Sequence, residues 1–298
     1  PAKGCFTLKE AFMTQITLQH PQSIVVATDF SPPANLAVEQ AARLAKGWGS
    51  TLHILHAGKP GDAGALDLAR GRLEKQRENL SVTPGIDANV VIRTGRASVE
   101  IIQLVNEVEA DLVVVGEHSQ GWLKDRFLGG TALKVLRQAR VPVLLVRAPV
   151  SNEFRKVMVA TDFSDNAHRA AQLAAGFFPL AELSFQHACS LKQLHRMRMD
   201  GETSEKMDAY RQQEVDAANA GMARFRKQLG LPAELAAQWH VVSDSENQIS
   251  ILLDLVQMEN PDLLVVGRHG GSEMDERFFG SAAENLLYHA NANILLVP

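Results

Sequence analysis

Apolar positions along this chain fall into two kinds of stretch. Short continuous runs, at 24–27, 112–115, 157–160 and 263–266, contain no polar break. Such runs suit strands buried on both faces of a sheet. Between them lie stretches whose apolar residues recur at three- and four-residue spacing, at 35–46, 98–108, 167–178 and 249–258. That spacing predicts amphipathic helices. Further strands are predicted at 52–57, 90–92, 141–146, 183–188, 241–242 and 293–297. The alternation of strand and helix predicts an α/β fold, a parallel sheet with helices on both faces.

The pattern is written twice. Ala27-Thr28-Asp29-Phe30-Ser31 ends the first strand, and the same five residues return as Ala160-Thr161-Asp162-Phe163-Ser164. Each copy continues to a strand ending in His56-Ala57 or His187-Ala188, then to an apolar run ending in Gly116 or Gly267. Repeats of about 150 residues are whole domains rather than solenoid units, and a chain of 298 residues carries the same prior. The expected division is a leader over 1–22 with a short helix at 8–13, a first domain over 23–149 and a second over 153–298. Ala148-Pro149 breaks the chain between the two domains. The second copy carries about 20 extra residues within 190–238. They bring a basic stretch, Lys192, Arg196 and Arg198, and a long helix that stops at Gly230 with Pro232 beyond. Two readings stand for that helix: a covering or partner-docking face, or a lid whose arginines reach the second pocket.

Candidate chemistry sits at the strand ends. Gly267-Arg268-His269-Gly270 follows a buried strand, nine residues intervene, and Gly280-Ser281-Ala282 opens a helix. Glycine allows close backbone approach to an anion, and a helix start offers free N–H groups. The combination reads as a phosphate cradle at the carboxyl end of the strands, where an open α/β sheet keeps its ligand crevice.

Charge and composition narrow the field. The net charge of −4 argues against a nucleic-acid partner. Two cysteines, Cys5 and Cys189, stand in no metal or redox spacing and fit a reducing cytoplasm. No apolar run approaches the roughly 18 residues of a membrane helix, so no membrane partner is expected. There is no G-x-x-x-x-G-K-[ST] loop and no glycine-rich first turn, which excludes a P-loop NTPase and a dinucleotide-binding Rossmann domain.

The repeated ATDFS turn, the His-Ala strand end and the Gly-x-x-Gly, nine residues, Gly-Ser signature together resemble the universal stress protein family in its tandem two-domain form. The resemblance covers nearly the whole chain beyond the leader. It implies two Rossmann-like domains, each a five-stranded parallel sheet, paired through their final strands into an intramolecular pseudo-dimer. It implies binding of ATP or another adenine nucleotide, with or without Mg2+, by members that keep the signature. Carried onto this sequence, Ala160, Thr161, Asp162 and Ala188 line the base and ribose. Gly267, Arg268, His269 and Gly270 wrap the ribose and phosphates, and Gly280, Ser281 and Ala282 cap the phosphate end. The weaker first-copy counterparts are Asp29, Gly116, Gly130 and Thr131, beside Ala27, Thr28 and Ala57. There Ser119 replaces the second glycine and Gly129-Gly130-Thr131 replaces Gly-Ser, so weak or no binding is expected in the first copy. The second copy has its own departures: Glu273, Asp275 and Glu276 face a single Arg277, and Glu246 stands where the first has Gly95. The first-copy loop carries Lys124 and Arg126 against Asp125, so the better glycines and the better charges lie in different copies.

Plainer roles stand beside these. Asp29 and Asp162 could cap the following helices. His56 and His187 suit packing or hydrogen bonding at strand ends better than metal binding, Cys189 suits an inert core position, and Trp122 suits packing. His118 and His269 could wall the pockets. No catalytic residue is identified. The expectation is a nucleotide-dependent regulator, with a scaffold with decayed pockets or a slow ATPase as alternatives, and with a protein partner or a second copy of the chain (a homodimer) left open.

Overall fold

The computed structural model describes residues 20–61, 63–81, 85–117, 128–149, 153–232, 235–243, 247–269 and 279–298. The leader helix at 8–13 and residues His118, Ser119, Trp122, Lys124, Asp125, Arg126, Glu246, Gly270, Glu273, Asp275, Glu276 and Arg277 lie outside the described residues.

The first half runs β1 (Ser23–Ala27), α1 (Pro32–Trp48), β2 (Thr51–Gly58), α2 (Ala63–Ser81), β3 (Asp87–Thr94), α3 (Ala97–Glu107), β4 (Leu112–Gly116), α4 (Gly130–Gln138) and β5 (Val143–Val146). The second runs β6 (Lys156–Ala160), α5 (Asp165–Phe177), β7 (Glu182–Ala188), α6 (Lys192–Met199), α7 (Ser204–Leu229), β8 (Ala237–Val242), α8 (Gln248–Glu259), β9 (Leu263–Gly267), α9 (Ser281–His289) and β10 (Asn293–Val297). All the strands join one sheet in the order β3-β2-β1-β4-β5-β10-β9-β6-β7-β8. Neighbours within each half are parallel. The halves meet at β5 and β10, which pair antiparallel with Leu295 opposite Leu144.

The pattern of the sequence explains the layers. Ile24, Val25 and Val26 are fully buried because helices cover both faces of the sheet. One apolar layer packs under α1, α5 and α7 and the other under α3, α4, α8 and α9, and each contains residues of both halves. On the first layer Trp48 meets Phe177 and Phe178, at 5.4 and 5.8 Å between ring centroids. The sequence pattern missed α2, a 19-residue helix. Among its described side chains it buries only Ala69 and Leu73 deeply, so its apolar stripe is too thin to announce a helix. The long helix α7 instead buries Ala218, Gly221, Met222, Phe225 and Leu229 and ends at Gly230 in the left-handed conformation, φ 57°. Ser31 and Ser164, the last residues of the repeated phrase, cap α1 and α5 through their hydroxyls.

Candidate functional site

The repeated phrase forms the same turn in both halves. The Thr28 hydroxyl accepts from Phe30 N at 3.0 Å and Asp29 Oδ1 from Ser31 N at 2.9 Å. Thr161 and Asp162 do the same for Phe163 and Ser164, each at 3.0 Å. The phenylalanines take positive φ, 65° and 66°, a conformation disfavoured for a bulky side chain. Each lies against the histidine of the neighbouring strand, Phe30 on His56 at 4.8 Å and Phe163 on His187 at 4.2 Å. The histidines in turn bond the threonine carbonyls at 2.9 and 2.8 Å. A carbonyl only accepts, so the proton sits on Nδ1. Motif and His-Ala strand end are thus one built unit that aims a carboxylate-bearing turn at the sheet's switch point. The serines, not the aspartates, cap the helices.

Burial holds His187 below its ordinary pKa of 6.5, against the smaller opposing effects of the Thr161 carbonyl and the Asp162 charge. A lowered folded-state value means that the unfolded chain takes up more protons as the pH falls through this range. The contribution is full above about 6.5 and is lost as the pH falls through the lower folded value. Denaturation midpoints should therefore drop between pH 7 and pH 5, with a shallower slope in His187→Gln. Burial lowers His20 and His53 as well, so part of the slope should persist. An unchanged slope in the variant would remove His187 from the account.

In the first half the strand ends enclose a cavity of about 170 Å³. Asp29, Gly116, Gly130 and Thr131 all reach its wall, together with Leu55, Ala57, Ala97 and Ile101. Helix α4 opens on this cavity with Gly129 as its N-cap and no side-chain capping bond. Its first-turn N–H groups therefore face the same space as the apolar wall. Gly129 and Gly280 are the equivalent N-caps, which puts Gly130 in the place of Ser281 and Thr131 in that of Ala282. A Cβ on Gly130 would meet nothing within 4 Å.

The second half carries larger polar side chains at the matching places. Gln248 stands where the first half has Ala97, and its Nε2 donates to the Ala188 carbonyl at 2.7 Å. Asn166 stands where the first half has Pro33, and its Nδ2 donates to the His269 carbonyl at 3.2 Å. Gly280 N donates to the Arg268 carbonyl at 2.9 Å, so Gly267, Arg268 and Gly280 do come together at the strand end. Ala160, Thr161, Asp162 and Ala188 sit on the adjoining β6 and β7 ends, and Ser281 and Ala282 begin α9. Sequence reasoning missed Ala97 and Gln248, which open equivalent helices one residue before the predicted starts. The signal that could have found them is the repeat itself, which sets an alanine against a glutamine there.

The sequence model described as Universal stress protein family matches residues 21–147 and again residues 153–298. The chain belongs to the universal stress protein family. A universal stress protein of Thermus aquaticus is 32% identical over 135 residues, 42% of this chain and 98% of that protein. A crystal structure of a functionally unknown protein from Pseudomonas aeruginosa PAO1, 20% identical, covers 94% of each chain with a TM-score of 0.66 and shares the fold. A universal stress protein solved in complex with cAMP is 28% identical over 43% of this chain and 98% of that one, with a TM-score of 0.38.

Within this universal stress protein the Arg268 side chain is buried, and its Nη1 donates to the carbonyls of Ala139 at 2.8 Å and Arg137 at 3.3 Å, at the end of α4 in the other half. A guanidinium serves such helix ends well, because their carbonyls lack intrahelical donors. Packing constrains the glycines that close β4 and β9. A Cβ on Gly116 would lie 2.4 Å from Pro33 O, and one on Gly267 3.1 Å from Asn166 C. In the extra segment, Arg196 is 86% exposed and pairs with Asp200 at 4.0 Å, which leaves the lid reading without support from that arginine. Helix α7 packs on the second turn instead: a Cβ on Gly221 would come within 2.8 Å of the Phe163 ring. Cys189 is buried, and burial pushes its thiol pKa up, so its thiol is held in the unreactive protonated form. Among the described residues no group of three or more His, Cys, Asp or Glu could hold a metal, and no helix is long and apolar enough to cross a membrane.

Proposed function

We infer that this universal stress protein binds an adenine nucleotide in its first-half crevice and acts as a ligand-dependent regulator rather than as a fast catalyst. The observation that carries this reading is the cavity itself. It joins an apolar wall for a base, from Leu55, Ala57, Ala97 and Ile101, to the uncapped N-terminus of α4 for a phosphate. The sequence pattern put the working site in the second half, where the glycine signature is complete. The amides of Gln248 and Asn166 on that side, bonded to the very backbone a ligand would use, favour the first half instead.

No Lys or Arg is among the described residues lining the cavity, while Asp29 is. A carboxylate near a phosphate favours a ligand of low charge or one partnered by Mg2+. AMP is thus the first probe, and ATP with Mg2+ the second. No described group is poised as the base or the cationic clamp a fast hydrolase needs.

The test is calorimetric titration of the nucleotide-stripped full chain with AMP, ATP and ATP with Mg2+. One site should appear, weakened at least tenfold by Ala97→Trp, which fills the crevice, and kept in Gln248→Trp. Binding that survives Ala97→Trp and is lost in Gln248→Trp would move the site to the second half. No heat with any of the three ligands would end the nucleotide reading.

A further inference from the structure

The arginine that leaves the second crevice has a counterpart. Arg147 follows β5 in the first half, and its side chain is 2% exposed. Its Nε bonds Glu117 Oε1 at 3.0 Å, its Nη1 donates to the Ala290 carbonyl at 2.7 Å, and its Nη2 donates to the Leu287 carbonyl. Those carbonyls end α9 of the second half, just as the carbonyls bound by Arg268 end α4 of the first. Each half therefore clamps the C-terminal end of the other half's last helix with a buried guanidinium.

The two clamps matter because of what lies at the opposite ends of the helices. Helix α4 starts on the first crevice at Gly129-Gly130. Helix α9 starts at Gly280-Ser281, the matching place in the second half, where a second crevice would lie. Both are nine residues long, about 14 Å at 1.5 Å per residue, and rigid over that length. Glu117, which holds Arg147, directly follows Gly116 on the wall of the first crevice. The Arg268 carbonyl holds Gly280 N at 2.9 Å. The contacts close a ring: first crevice, α4, Arg268, Gly280, α9, Arg147, Glu117 and back to Gly116. A shift of α4 along its axis changes what Arg268 bonds, and Arg268 is fixed through its own backbone to the rim of the second crevice.

We propose that the first crevice is coupled through this ring to the matching strand end of the second half, so that filling the first crevice repositions the start of α9. The proposal rests on a ligand entering the first crevice, the reading given above. It differs from a mere interface because the clamps join the crevice of one half to the helix that begins at the matching place of the other. Chains of hydrogen bonds, ion pairs and rigid helices are the elements that carry coupling between distant sites.

The test is peptide-resolved amide hydrogen exchange of the full chain with and without AMP, in a Gln248→Trp background that blocks the second crevice. AMP should slow exchange at 129–136, beside the ligand, and alter it at 280–290, remote from it. Glu117→Gln loosens the clamp while leaving both arginines in place, and Arg147→Lys keeps the charge but not the fork. In each variant the local protection should stay and the remote change should fall at least fivefold. Local protection without a remote change, or a remote change of full size in both variants, would overturn the coupling. Absence of local protection would instead sink the nucleotide reading. In that case Ala97→Trp replaces the ligand by filling the cavity. It should shift exchange at 280–290 with no nucleotide present, and Glu117→Gln should cancel that shift. No shift from the plug would overturn the coupling on its own.

Discussion

Gly116→Val is expected to cost about 2–3 kcal/mol of stability, as overpacking of a filled site does, and to distort the first crevice. The reason lies in which atoms a side chain would meet. A Cβ at Gly116 falls 2.4 Å from Pro33 O, 2.6 Å from Pro33 C and 3.0 Å from Ala34 N. These are backbone atoms in the first turn of α1, so no rotamer change relieves them. That turn is itself fixed. Ser31 caps it, and Phe30 just before it is held at positive φ against His56, with the Arg72 guanidinium 5.4 Å from the Phe30 ring centroid. The chain has to move α1 away from β4 or bend the strand end. At Gly267 the nearest atom is 3.1 Å away, so Gly267→Ala should be felt less. Urea midpoints with unchanged m-values would measure both. A loss below about 1 kcal/mol in Gly116→Val would show that α1 slides freely, and the packing account of the glycine would fail.

Arg147→Ala is expected to cost about 3–5 kcal/mol, the range for breaking a buried pair by removing one partner. The guanidinium is almost wholly enclosed, and it satisfies Glu117, 14% exposed, together with two carbonyls at the negative end of the α9 dipole. Removing it leaves a largely buried carboxylate without this counter-charge and takes donors from the helix end. The backbone on both sides is fixed by Asn293, whose Oδ1 accepts from Arg147 N at 2.8 Å and Ala148 N at 3.1 Å, so little collapse can compensate. Arg147→Lys should recover only part, since an ammonium cannot fork to three acceptors in a plane. Chemical denaturation of both variants decides it. A loss under 1 kcal/mol in the alanine variant would mean that water or another cation takes the site.

The architecture of this protein is legible in its pattern of apolar positions. Unbroken apolar runs mark strands that need cover on both faces, and three- and four-residue spacing marks helices that supply it. These are local signals, and the repeated ATDFS phrase copies them into a second half. The same phrase pointed to the strand ends where the first-half cavity lies, because a turn at the carboxyl end of a buried strand falls at the sheet's switch point whatever surrounds it. Helix α2 stayed hidden because its buried face is thin.

Contacts between distant parts of the chain are not written in these local patterns. Gly116 and Gly267 look like ligand glycines along the chain, yet a Cβ at Gly116 would collide with Pro33 and one at Gly267 would press on Asn166, both far away in sequence. Arg268 stands between two crevice residues, but its side chain crosses to α4 of the other half, where unsatisfied helix-end carbonyls attract it. Ala97 offers a methyl group to the first crevice, whereas Gln248 at the matching place gives its amide to the Ala188 carbonyl. Strand and helix patterns record burial. They do not record side-chain direction across a fold, and that direction set the glycines, the arginines and the open cavity.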